Sequence, residues 1–297
     1  MAGVAFFFEV LIGGLMAGVM YSLVALGFVL IFKASGVFNF AQGAMVLFAG
    51  LFFVGFIEIG IPLWASLLLT IAVMVLLAGV IERLVLRHLV NQEGIILFMA
   101  TIGVSFFLDG FGQMIWGSNV RQLDIGIPTD PILLFDGAIL VQSFDLYAAV
   151  VAGALLVILV FFQRTRIGRA LRAVADDHQA AQSVGIPLNV IWVIVWTIAG
   201  LVALVAGVMW GSKLGVQPAI VGLALKALPV LILGGFTSVP GAIIGGLIIG
   251  AGEKLAEIYI GDFFGGGIEN WFAYVLALGF LLIRPQGLFG EKIIERV

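Results

Sequence analysis

R-T-R-I-G-R-A-L-R-A-V-A-D-D-H-Q-A-A-Q-S-V-G-I-P, residues 164–187, is the one polar stretch of size in this chain that favours a helix. Residues 169–184 give roughly four turns. Leu171, Val174, Ala181 and Val184 fall near helical spacing as an apolar face, and Arg169, Arg172, Asp176 and Asp177 supply a polar one. Gly185 stands where a helix closes and Pro187 follows soon after, the usual order at a C-terminus. Apolar runs flank the stretch, 146–162 before it and 190–210 after it. The expectation is a short amphipathic helix held on one membrane face between two spans.

The rest of the chain is apolar. Of its 297 residues 63% are hydrophobic, 40 more are glycine and only 10% are charged. A soluble domain could not cover its surface with so few charges, so the excess apolar surface faces lipid, with room for about eight or nine spans of roughly 20 residues. The runs are 6–32, 37–57, 61–81, 95–116, 146–162, 190–210, 219–236, 241–260 and 271–283. The last is short. The seventh contains Lys226 and Pro229 and reads as a broken or re-entrant segment. The first lacks the basic flank of a leader and is too long for one, so it is expected to remain a helix. The expected fold is an all-α integral membrane protein, a single domain over residues 1–297 with a cytoplasmic loop at 164–187.

Charge orients the spans. Arg83, Arg87 and His88 follow the third run, Arg164, Arg166, Arg169 and Arg172 the fifth, and Arg284, Lys292 and Arg296 the ninth. These stretches are predicted to be cytoplasmic. Asp124, Asp130, Asp136 and Asp145 against Arg121, and Asp262 with Glu269, mark the outer side.

Small residues recur four apart: Gly14 with Gly18, Gly207 with Gly211, Gly241 with Gly245, and Gly246 with Gly250. Such spacing lets helix backbones approach closely where lipid gives no hydrophobic drive for association. The stretches F-A-Q-G-A-M-V-L-F-A-G from Phe40 and S-V-P-G-A-I-I-G-G-L-I-I-G from Ser238 look alike, as internal repeats of transporters do.

Polar groups inside the runs are the pathway candidates. Asn39 and Gln42 open the second span and serve either the pathway or helix packing. Lys226 either attracts a substrate carboxylate or is ion-paired or snorkelling. Asp109 lies in the fourth span with no partner evident from sequence. Ser22 is expected to bond its own helix backbone, and Glu253, Lys254 and Glu257 to end the eighth span at the outer surface.

Several classes fall away. With no cysteine there is no disulfide or thiolate site, and two histidines without ligand spacing suggest no metal. No basic run interleaved with aromatics points to nucleic acid. No P-loop, H-E-x-x-H or G-x-S-x-G occurs, so no enzyme activity is expected and ATP would be hydrolysed elsewhere. A secondary transporter or channel for small solutes is the alternative to an ATP-driven permease, and a helix lying on lipid is the alternative for 164–187.

Three ordered stretches resemble one family. Q-A-A-Q-S-V-G, with Gln179, Ala180, Ala181 and Gly185, is similar to the E-A-A-x-x-x-G coupling motif of ABC-importer permeases, with Gln179 where glutamate is usual. The R-x-G-R-A-x-R-A-x-A-x-D pattern of residues 166–177 resembles the branched-chain amino acid permeases of that family. Residues 21–43 and 224–247 resemble the family's N- and C-terminal signatures. The length resembles the shorter of the two permeases in such importers. The resemblance implies a homologous second permease, two ATP-binding subunits, a periplasmic or lipid-anchored solute-binding protein and a bacterial inner-membrane location. It implies no cofactor on this chain, ATP used by the partners, and as solute a branched-chain or related amino acid or a small amide such as urea. It also implies that Arg169, Arg172, Asp176, Asp177, Gln179, Ala180, Ala181 and Gly185 form the ATPase-coupling surface.

Overall fold

A computed structural model describes residues 2–36, 38–89, 92–128, 130–134, 139–176 and 178–290. Asp136, Asp177, Lys292 and Arg296 lie outside the described residues, as do the side chains of Asp176 and Gln179.

The nine apolar runs are all helical in their cores. They are α1 (Ala2–Ser35), α2 (Gln42–Glu58), α3 (Leu63–Leu84), α4 (Gly94–Trp116), α5 (Ser143–Arg164), α8 (Leu188–Leu214), α9 (Leu223–Gly234), α10 (Val239–Ile260) and α11 (Glu269–Ile283). The polar stretch forms α6 (Arg166–Asp176) and α7 (His178–Ser183) on either side of Asp177. Five helices, α1, α3, α4, α5 and α8, are long and apolar enough to cross a membrane alone, which makes the protein a multi-pass membrane protein. The seventh run is broken, though not at Pro229, which lies inside α9: a 3-10 turn, Pro218–Gly222, leads into α9, and α9 and α10 are bent 112° from each other after Gly234. The second run yields a shorter helix than its length suggests. Asn39 accepts a hydrogen bond from the Ala41 amide at 3.1 Å, and the turn this makes delays α2 to Gln42. Its 17 residues reach about 25 Å, short of the roughly 30 Å hydrocarbon core.

One element is absent from the sequence reading. Pro131–Leu134 (β1) and Ile139–Gln142 (β2) pair antiparallel, with Ile132 opposite Val141. Two short apolar runs around Asp136 and Gly137 are the cue that would have found this hairpin.

Packing divides the chain into two compact units. The first comprises Met1–Ala25, Gly126–Leu156 and Leu225–Val297. Here α1 and α10 run antiparallel along a glycine seam. A methyl on Gly14 would come within 2.7 Å of the Gly250 carbonyl oxygen, and Gly18 faces Gly246 in the same way. Ser22 donates to its own helix at Gly18 O, 2.9 Å, and lies 3.1 Å from Ala242 O across the seam. The last carbonyls of α9, which a helix leaves without partners, accept from the chain after α11: Leu288 N bonds Leu233 O at 2.8 Å and Phe289 N bonds Gly234 O at 3.1 Å.

The second unit comprises Leu26–Ile125 and Val157–Ala224. Its centre is α2, packed by α3, α4 and α8. Gly207 on α8 abuts the Val46 carbonyl and Gly50 of α2. The outer faces of α3 and α4 carry exposed Leu68, Leu76, Phe106 and Phe107, the surface that lipid or another hydrophobic partner covers.

Candidate functional site

The polar stretch is joined to α5 by a tight corner. Thr165 caps α6, its hydroxyl accepting from the Gly168 amide at 3.2 Å. Gly168 has no side chain because the Phe162 carbonyl occupies the space one would need. The final carbonyls of α5 are then covered by arginines from the next helix: Arg172 donates to Gln163 O at 2.9 Å and Arg169 to Arg164 O at 3.3 Å. Cations at a helix C-terminus also offset its partial negative charge. Both arginines expected on the coupling surface thus brace the corner, and Arg172 is partly buried.

The burial pattern of the stretch corrects one expectation. Leu171, Val174 and Ala181 are buried as the spacing predicts, but Val184 is 75% exposed. The segment turns at that point: Ile186 N bonds back to Ala181 O at 3.0 Å, and Gly185 adopts φ +85°, a conformation that side chains disfavour. Ala180, Gln182, Val184 and Gly185 face outward while Ala181 packs into the unit. Beside them lies a cleft of about 470 Å³ lined by Arg87, Gln182, Gly185, Ile186, Pro187 and Asn189. Arg87 follows α3 and pairs with the buried Glu82 at 3.4 Å. Arg87, from a basic stretch that sequence assigns to the same membrane face, therefore shares this cleft with residues 182–189 at the end of the polar stretch.

Asn39 and Gln42 are completely buried. The Asn39 amide lies 3.5 Å from Gln42 Oε1, and Gln42 fills the notch left by Gly27. Phe40 N donates to Thr101 Oγ1 at 3.1 Å, while the Phe40 ring meets Phe38 and Phe98 edge to face, with centroids 4.8 Å apart in each pair. The two amides hold the entrance to α2. Asp109 is partly exposed, and its partner is Gln113 one turn on, at 2.6 Å.

Lys226 lies in the first unit with companions the sequence reading did not give it. Its Nζ stands 3.9 Å from Glu253 Oε1 and 5.8 Å from the centre of the Tyr21 ring. The Tyr21 hydroxyl donates to the Glu253 carboxylate. Glu253 is 2% exposed; placing it at an outer surface was a misreading. The available cue is spacing, since Glu253 continues the helical face of Gly246 and Gly250. Lys254 and Glu257 do serve the end of α10: Lys254 bonds Glu269 at 2.9 Å, and Glu257 accepts from the Gly267 and Glu269 amides that begin α11. Among the described residues no three acidic or histidine side chains gather as a metal site would require.

A family model described as the branched-chain amino acid transport system permease component matches residues 10–284. The chain is 28% identical to the high-affinity branched-chain amino acid transport system permease protein LivH of Salmonella typhimurium, over 98% of each chain. It is 30% identical to the corresponding protein BraD of Pseudomonas aeruginosa, again over 98% of each. Among solved structures it is similar to PsaBC from Streptococcus pneumoniae in complex with Fab, at 16% identity and a TM-score of 0.48, over 91% of this chain and 89% of that one. A membrane bundle with a braced polar helix, matched along nearly its whole length to permeases of one kind, belongs to the branched-chain amino acid transport system permease family.

Proposed function

We propose that this chain is the membrane-spanning permease subunit of an ATP-driven importer of branched-chain or related amino acids in a bacterial inner membrane. In this reading residues 1–297 act as one permease domain beside a homologous second permease. Two ATP-binding subunits hydrolyse the nucleotide, and a periplasmic or lipid-anchored binding protein delivers the solute. The chain itself carries no cofactor and performs no hydrolysis.

The observation that supports it is the braced corner. Motion of a partner seated at residues 180–185 has to reach the spans, and a loose loop would absorb it. Here α6 is capped on Thr165 and tied to the end of α5 through Arg172 and Gln163, so a push on the exposed turn is passed to α5. Val184, Gln182, Gly185 and the cleft beside Arg87 offer the partner an apolar knob and a socket. Asp176, Asp177 and Gln179 belong to the same segment and are assigned to the same surface. Asn39, Gln42, Asp109 and Lys226 are assigned to the pathway or its supports.

Val184→Glu tests the reading, because that side chain packs on nothing its own fold needs. Membrane insertion and thermal stability should stay as in the wild type, while co-purification of the ATP-binding subunits falls. Gly185→Leu, which strains the turn by about 1–2 kcal/mol, should act in the same direction. Full co-purification and leucine-dependent ATP hydrolysis in both variants would remove the coupling role.

A further inference from the structure

We propose that Lys226 and Glu253, with the Tyr21 ring beside them, form a station within the membrane for a zwitterion. The solute's ammonium goes to Glu253 and its carboxylate to Lys226. The proposal rests on the importer reading above and narrows it to α-amino acids.

The argument starts from an ill-made ion pair. An ionised carboxylate has about four acceptor positions, and a buried ion pair breaks even only when its geometry is good and its remaining valences are filled. Glu253 is buried to 2% exposure, its Oε1 takes no hydrogen bond among the described residues, and Lys226 stops 3.9 Å away. That separation is beyond the range of an N–H···O bond. The same unit contains a well-made pair for comparison, Lys254 with Glu269 at 2.9 Å. Chain geometry that closes one pair leaves the other open, and the open one is the more deeply buried.

A zwitterion supplies what is missing. Its ammonium donates to the free carboxylate oxygen, and its carboxylate accepts from a lysine with three donors. One loose pair is thereby exchanged for two charge-assisted bonds, and the Tyr21 face is within reach of a cation. Position agrees. Glu253 lies seven residues before the end of α10, about 10 Å along the helix. Lys226 belongs to a 12-residue helix that contains Pro229, ends at Gly234 and is bent 112° from α10. Broken helices near the bilayer midplane are where transporters hold their solutes. Lys226 keeps 26% of its side chain exposed, so the pair is open on the α9 side. A neutral amide such as urea has no charges to divide between the two groups.

The test uses the whole importer in proteoliposomes with its binding protein, and L-leucine, L-isoleucine, L-valine and urea as probes. K226M/E253Q removes both charges together and leaves no lone buried ion. Leucine uptake should fall roughly tenfold to a hundredfold, the loss of one charge-assisted bond or more, with the ATP-binding subunits still co-purifying. Should that variant not assemble, acylation of Lys226 by a small amine-reactive reagent is followed by mass spectrometry in the wild-type complex. L-leucine should slow the labelling, and isoamylamine and urea should not. Wild-type leucine uptake by K226M/E253Q, or labelling indifferent to leucine, overturns the proposal alone. A wild-type complex that takes up none of the three amino acids overturns the importer reading, and this proposal with it.

Discussion

Gly13 and Gly14 are adjacent on α1, yet they should respond in opposite ways to the same substitution. A methyl at Gly13 would meet nothing within 4 Å, whereas one at Gly14 would fall 2.7 Å from the Gly250 carbonyl oxygen and 2.8 Å from the Ala251 Cα. Both obstacles are backbone, so no side chain can swing aside. To restore ordinary contact α1 and α10 must part by roughly 0.5–1 Å, which forfeits a quarter to a half of each dispersion contact along the seam. The separation also stretches the 3.1 Å bond from Ser22 to Ala242, worth about 0.5–1.5 kcal/mol. Overpacking of this kind costs about 1–3 kcal/mol. Gly14→Ala is therefore expected to lower the melting temperature of the detergent-solubilised protein by roughly 2–8 °C. Gly13→Ala should leave it unchanged or slightly raised, since alanine restricts the unfolded chain. Equal melting temperatures for the two variants would refute the seam as a close backbone contact.

Three further outcomes are expected. Gly27→Ala sets a methyl on the Gln42 amide and should cost about 1–3 kcal/mol; Gln42→Ala in the same chain should recover most of it, and additive losses in a double-mutant cycle would show that the two do not touch. Thr165→Ala removes the cap of α6 and should cost about 1 kcal/mol, read as faster amide exchange in residues 166–170 with little change in α8. Arg172→Glu places a negative charge on the terminal carbonyls of α5 and should weaken the corner by about 1–2 kcal/mol. Uptake per ATP hydrolysed should then fall with the ATP-binding subunits still attached, and detachment of those subunits would mean that Arg172 is itself a docking contact.

The Arg172 expectation shows where sequence reading and structure part company. Polar residues in a helical repeat identified the segment, but their pattern is the same whether the charges meet a partner or the end of the preceding helix. Only the angle at Thr165 and Gly168 brings Arg169 and Arg172 back over α5. Val184 is similar: its spacing assigns it to the buried face, and the turn at Gly185 exposes it. Glu253 was misplaced because charge near the end of an apolar run ordinarily marks the interface. Its burial depends on α1 and α9 arriving from residues more than twenty positions away.

What the sequence determined by itself is what lipid dictates locally. A helix must satisfy its own backbone and be apolar over its length, so composition along the chain gives the helices, and glycines four apart give the faces fit for close packing. What the tertiary structure alone decided is which face meets which. Gly14 and Gly18 answer Gly246 and Gly250 rather than any other pair, and Lys226 stands against Glu253. Those pairings follow from complementary shape and charge between helices distant in sequence, and periodicity within one helix carries no record of its partner.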